Sequence, residues 1–160
     1  MRLEPEPLRL GVFGPESLEN TRHQAEAAQV KVRLDLPPEM EGLSFHADPL
    51  RLVQLLDNLL SNAIKFSPAG AQVTVRVRRD GPWLAWSVED QGPGISDSDA
   101  QRIFERFYRA PSVRRIPGTG LGLAIVKHLA VLMNGEVDLH TELGRGSTFI
   151  FRLPVAEVKQ

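Results

Sequence analysis

Asn58, Asn62 and Lys65, spaced four and three apart, are the first residues whose types suggest chemistry. At 100° per residue they fall within roughly 60° of one another on one helix face. Mid-helix asparagine is a poor helix former, so two of them cost stability that Glu or Lys would not. An amide oxygen is a neutral, hard ligand suited to Mg²⁺, and an ammonium neutralises phosphate oxygens. The trio therefore suits a polyphosphate site, although it also suits a solvated helix face.

Two glycine loops extend the pattern. In Asp90-Gln91-Gly92-Pro93-Gly94-Ile95, the glycines permit positive φ and close approach of a planar ligand. A carboxylate there can accept a hydrogen bond from an exocyclic amine such as adenine N6, and an Asx-capped turn has the same sequence. Gly118-Thr119-Gly120-Leu121-Gly122-Leu123 opens a helix with alternating glycines, exposing backbone N–H groups as an anion site. It lacks the G-x-x-x-x-G-K-[ST] pattern of a P-loop, and Leu123 stands where a dinucleotide fingerprint needs glycine. Residues 101–115 hold five arginines against one acid, Glu105. That stretch suits either a solvated basic face or a phosphate-facing helix with a mobile lid over 110–119.

The elements that must position these groups follow from local patterns. Residues 1–13 are expected to be an extended, Pro-interrupted lead-in, and residues 14–29 a helix with Pro15 near its first turn. Residues 31–36 alternate as a strand until Pro37-Pro38. Asp48-Pro49 is expected to start a long helix, with Asp48 as N-cap, ending near Ser67. Its apolar stripe is Leu52, Leu55, Leu56, Leu59, Ala63 and Phe66, roughly 100° wide. Residues 72–79 and 83–89 read as strands joined at Asp80-Gly81. Residues 99–109 and 121–133 read as helices, and 136–141 and 147–153 as strands. The mixture of helices and hairpins is α+β with a mainly antiparallel sheet.

Composition narrows the classes. The 160 residues make one domain with an ordinary core. Net charge is −1, so no global basic field draws nucleic acid. Zero cysteines exclude disulfides, Cys-ligated zinc and thiol nucleophiles. No apolar run approaches the roughly 20 residues of a membrane span, and the acidic, Pro-rich start does not read as a signal peptide.

In order, these pieces resemble the catalytic and ATP-binding domain of sensor histidine kinases, in the GHKL ATPase superfamily. Asn58–Phe66 resembles the family's N box, Asp90–Gly94 its G1 box and Phe104–Arg109 its F box. Gly118–Leu123 resembles the G2 box and Gly144-Arg145-Gly146-Ser147-Thr148 the final glycine segment. The similarity covers roughly residues 30–155.

The resemblance implies a Bergerat-type two-layer α/β sandwich, with helices on one face of a mixed, mainly antiparallel sheet. It implies ATP and Mg²⁺ as cofactors. Asn62 is expected to chelate the metal and Asn58 to support the phosphate side. Lys65 and Arg109 are expected on phosphates and Asp90 on the adenine amine. Phe66, Gly92, Gly94, Ile95, Phe107 and Tyr108 are expected to line the nucleotide, with the backbone of Gly118, Thr119, Gly120, Leu121, Gly122 and Leu123 on its phosphates. Thr148 is expected to complete a water network at the adenine. Phe66 stands where relatives often carry Tyr, which removes a hydroxyl there.

ATP-hydrolysing branches resemble one another in placing a water-activating glutamate four residues before the metal asparagine. Here that position is Asn58, which cannot act as a base, and Asp57 points roughly 100° away. The expectation is a kinase domain that exposes the γ-phosphate and does not hydrolyse it. None of His23, His46, His128 and His140 matches a phosphoacceptor motif. The acceptor is expected on a dimerisation domain preceding residues 1–13, with residues 14–160 as the ATP-binding domain. The implied partners are that domain and a response regulator, with no nucleic acid. The isolated domain is expected to be monomeric and cytoplasmic, and the full-length protein a homodimer that a missing N-terminal region can anchor to a membrane. An anti-sigma-factor-type serine kinase and a noncatalytic nucleotide-sensing module are the alternatives.

Overall fold

A computed structural model describes residues 2–106, 108 and 122–155. The first departure from expectation lies at the N-terminus. The extended lead-in instead contains a strand, β1 (Glu6–Arg9), and a helix, α1 (Leu10–Glu16). The helix expected over 14–29 is broken into α1, a 3₁₀ turn at Glu19–Thr21, and α2 (Arg22–Ala28). Pro15 falls in the last turn of α1, not in a first turn, and removes one ladder donor. Ser17, buried, closes the helix by donating its hydroxyl to Gly14 O at 2.6 Å. Gly11 is required where it stands, because a Cβ would lie 2.6 Å from Glu41 O.

β2 (Lys31–Asp35) follows, then a 3₁₀ turn at Pro38–Met40 and β3 (Ser44–Ala47), a strand absent from the sequence reading. β3 pairs antiparallel with β1 in a two-stranded sheet. α3 (Pro49–Phe66) starts as expected: Asp48 Oδ1 accepts from Arg51 N at 3.2 Å, and Pro49 takes the first turn. The other oxygen, Oδ2, accepts from Glu4 N at 3.0 Å, tying the N-terminal segment to this cap. The buried stripe of α3 adds Leu60 and Ile64, while Phe66 is only half-buried.

The main sheet has the order β2-β4-β5-β7-β6, with β4 (Gln72–Asp80), β5 (Trp83–Glu89), β6 (Glu136–Glu142) and β7 (Gly146–Pro154). Only β2 and β4 run parallel. The β4–β5 hairpin turns at Gly81-Pro82, with Gly81 at φ +57°. α3 and α5 (Gly122–Leu132) cover one face. Trp86, Phe151, Leu59 and Leu129 are fully buried between the layers. Phe13 of α1 meets Trp86 edge-on at 5.9 Å and Phe45 of β3 at 6.0 Å, which joins the small sheet to the same core.

The helix expected over 99–109 is also shorter. α4 spans Asp97–Ala100, capped by Ser96, whose hydroxyl accepts from Asp99 N. Beyond it, Arg102 N reaches Asp99 O, Glu105 N reaches Arg102 O, and Tyr108 N reaches Glu105 O. These three bonds, each spanning three residues, make successive turns and not an α-ladder.

Candidate functional site

The middle of α3 faces the start of α5. Asn58 Nδ2 donates to Gln54 O at 2.9 Å, which points the amide oxygen outward. A Cβ built on Gly122 would stand 3.2 Å from Asn58 Oδ1 and 3.9 Å from Asn62 Oδ1. Two neutral amide oxygens therefore converge on one glycine at a helix N-terminus. Hard oxygen donors of this kind, with no charge of their own, fit a Mg²⁺ ion that arrives on polyphosphate. Lys65 is exposed beyond them. The nearby carboxylate, Asp57, is engaged by Asn20, whose Nδ2 donates to its Oδ2 at 3.0 Å. Asp57 Oδ1 is buried and has no hydrogen-bond partner among the described residues. Burial pushes its carboxyl above the ordinary carboxylate range, and the Asn20 bond opposes this.

The end of α3 meets the loop after β5. Gly92 is packed so closely that a Cβ would lie 2.8 Å from Phe66 O. Asp90, 7% exposed, ends β5 on the sheet's helix-covered face. Its Oδ1 accepts from Gly92 N at 2.9 Å and from Ser147 N at 3.1 Å. Among the described residues no hydrogen bond is recorded to Oδ2, which leaves it for a donor from outside. Burial raises the Asp90 carboxyl above its ordinary value. The Gly92 and Ser147 amides hold it down, and Glu89 adds a smaller upward push.

The β6–β7 turn braces this loop. Gly144 N donates to Pro93 O at 2.8 Å. Gly94, at φ +74°, lies where a Cβ would come within 2.1 Å of Glu142 O, so only glycine fits. Thr141 Oγ1 accepts from Ile95 N at 2.8 Å and donates to Gly146 O at 3.2 Å. Asp90, Gly92, Gly94, Ile95 and Phe66 thus converge around one loop, while Asn58, Asn62, Gly122 and half-buried Leu123 converge around α3 and α5.

Thr148 is not brought to this place. It pairs with Glu89 on the outer face of the sheet, while buried Ser147 and Phe149 point inward. The residue that reaches Asp90 is Ser147, which the sequence reading passed over together with Thr141. Strand alternation was the available signal: counting from Phe149 and Phe151 puts Ser147, not Thr148, on the inner face.

In the arginine-rich segment, Phe104 packs edge-on against Phe149 at 6.0 Å. The Tyr108 hydroxyl donates to Asp99 Oδ1, and the Arg102 guanidinium lies 4.4 Å from the Tyr108 ring centre. Phe107, Arg109, Gly118, Thr119, Gly120, Leu121 and the proposed lid at 110–119 lie outside the described residues. Among the described residues, no group of three or more His, Cys, Asp or Glu could hold a metal. Also among them, no helix is long and apolar enough to cross a membrane.

Comparisons with known proteins agree on the family. SenX3 of Mycobacterium tuberculosis, a sensor-like histidine kinase, is 40% identical over 141 residues, covering 87% of this chain and 34% of that protein. The circadian input-output histidine kinase CikA of Synechococcus elongatus is 37% identical over 154 residues, covering 95% of this chain and 20% of that protein. The chain therefore spans about a fifth to a third of the length of these relatives. Full-length ShkA, solved in complex with AMPPNP, superposes with a TM-score of 0.85 at 31% identity, over 100% of this chain and 33% of that one. A family model described as histidine kinase-, DNA gyrase B-, and HSP90-like ATPase matches residues 47–157. With that match over most of its length, and with this fold and this loop arrangement, the chain belongs to the histidine kinase-, DNA gyrase B- and HSP90-like ATPase family.

Proposed function

We propose that this chain is the ATP-binding catalytic domain of a sensor histidine kinase. It takes ATP with Mg²⁺ and passes the γ-phosphoryl group to a histidine on a separate dimerisation domain, from which a response regulator receives it. The observation that carries this reading is the pair of amide oxygens converging on Gly122, with Asp57 engaged by Asn20. The names of the relatives and the AMPPNP complex of ShkA support it.

In this reading Asp90 Oδ2 accepts the adenine amine, and Gly92 and Gly94 let the ring approach. The phosphates run toward the start of α5, where backbone N–H groups and the helix dipole favour an anion. Asn58 and Asn62 are the residues that fit Mg²⁺, and the bound ion supplies charge neutralisation on the phosphates. Lys65 and Arg109 neutralise the remaining charge, and Thr148 has no part at the adenine. In the transfer, the bond from the γ-phosphorus to the bridging oxygen breaks and ADP keeps the electron pair. A P–N bond forms to the acceptor imidazole, which releases its proton to solvent or a base on its own domain. The chain contributes positioning and electrostatics.

The isolated domain acts as a monomer in the cytoplasm, where ATP and the regulator are found, and the whole protein works as a homodimer. The test mixes the chain with Mg-ATP and the dimerisation domain of the same polypeptide. Acid-labile phosphohistidine is expected, with ATP affinity on the order of micromolar. Tight ATP binding with no transfer points instead to a nucleotide-sensing module, and acid-stable phosphoserine on a partner points to a serine kinase.

A further inference from the structure

A groove of about 540 Å³ runs between α3 and the 3₁₀ turn and helix α2 that lie beside it. That size suits a few side chains of a partner. Its walls are tied together by polar bonds, Asn20 Nδ2 to Asp57 Oδ2 at 3.0 Å and Gln24 Nε2 to Ser61 O at 3.4 Å, so the groove is preformed. At one end Leu50 is 68% exposed, with half-buried Val53 one turn further on. Arg51 beside them gives its Nη1 to Gln54 Oε1 at 3.1 Å, and no carboxylate pairs with it among the described residues. At the other end the lining includes Asn58, whose amide oxygen also faces Gly122.

We propose that this groove docks the segment of the dimerisation domain that carries the acceptor histidine. This rests on the reading above, and it names the surface that brings the acceptor to the phosphates. Two observations choose that occupant. First, the N-terminal segment is pinned at the Leu50 end, where Glu4 N donates to Asp48 Oδ2 two residues before Leu50. Chain preceding this segment therefore arrives at the mouth of the groove. Second, the groove leads from there to the site. Residues 48 and 58 are ten apart, about 15 Å along the helix, so a segment laid on this flank spans from the entry point to Asn58 in roughly three helical turns. The lining states the chemistry of the partner: an apolar side chain on Leu50 and Val53, an acidic one on Arg51, and the imidazole at the Asn58 end.

The test uses the whole chain with the dimerisation domain of the same polypeptide. Leu50→Glu puts an acid into the first turn of α3, where the helix dipole tolerates it, and sets a charge on the apolar end. Gln24→Arg still has a donor for Ser61 O and projects a longer cation over the groove. Each variant is expected to raise the KM for the dimerisation domain about tenfold or more, with ATP affinity unchanged. Val12→Glu, at an exposed apolar residue of α1, is expected to leave both unchanged. In NMR titration of the wild-type chain with the dimerisation domain, the largest shifts are expected between residues 50 and 61 and between 20 and 24. Wild-type KM in both groove variants overturns the proposal, as do shifts confined elsewhere. An equal loss of ATP affinity also overturns it, because the groove would then serve the nucleotide site alone. Self-association of the wild-type chain that Leu50→Glu abolishes, with transfer intact, gives the groove to a second copy and overturns it too. Shifts at the groove with no phosphohistidine formed uphold the docking surface and overturn the kinase reading, so the two failures are told apart.

Discussion

Ser147 and Asp90 meet across β7 and β5 through one short bond, Ser147 N to Asp90 Oδ1 at 3.1 Å. The same oxygen takes Gly92 N at 2.9 Å. The protein thus satisfies one carboxylate oxygen from two backbone amides and aims the other outward. Asparagine at 90 keeps an acceptor for the two amides but presents an NH₂ group to the adenine amine. Asp90→Asn is expected to fold normally and to lose ATP affinity by about tenfold or more, measured by calorimetry. Wild-type affinity in this variant would place the adenine elsewhere.

Acid should weaken the same contact early. Burial sets the Asp90 carboxyl above its ordinary value of 3.8, so protonation begins nearer neutrality than for a surface aspartate. A protonated Oδ2 is a poor acceptor. ATP affinity is expected to fall as pH drops through this raised pKa, while the fold persists. A flat affinity down to pH 4 would contradict it.

Asp57 makes the opposite statement about stability. Its folded-state pKa is raised above 3.8, so its stabilising contribution is fully present below that value and is lost as pH rises through the folded pKa. Asp57→Asn keeps an acceptor for Asn20 and removes the ionisation. The variant is expected to melt above wild type near neutral pH, with the gap closing as pH falls toward the ordinary carboxylate range, in thermal scans across that range.

Gly122→Ala separates binding from folding. Alanine is the better helix former, so the isolated fold should hold or gain slightly. The new methyl would stand 3.2 Å from Asn58 Oδ1, and the bond from Asn58 to Gln54 O resists the needed shift. ATP affinity is expected to drop about tenfold with no loss of melting temperature. An equal loss of both would mean that the glycine serves packing alone.

Asn62→Asp tests the neutral-donor argument. The added charge repels phosphate, so phosphohistidine formation is expected to fall at least about a hundredfold, read from label transfer to the dimerisation domain. Chelating Mg²⁺ is expected to lower ATP affinity in wild type and to change little in this variant. Full transfer by Asn62→Asp would remove Asn62 from the site.

Much of this was legible where local chemistry decides structure. Asp48-Pro49 and the leucine spacing fixed α3, and alternation with Gly81 fixed the β4–β5 hairpin. Asn58, Asn62 and Asp90 were readable because their types are costly where they stand. The rest depends on distant partners. β1 and β3 are four residues each and 34 residues apart from end to start, too short for alternation to show. The break after Glu16 depends on Ser17 becoming buried, which no local window reveals. Thr148 and Ser147 are neighbours, and in a strand one residue exchanges the two faces, so a glycine motif alone does not say which of them meets Asp90.

The edge-on contacts of Phe13 and Phe45 with Trp86 carry a practical consequence. The match to the family model begins at residue 47, yet both aromatic partners of Trp86 lie before it. A truncation cut at the homology boundary would strip one side of the largest buried ring and delete β1, β2 and β3 with it. The folding unit extends upstream of that match, so expression boundaries belong before Glu6.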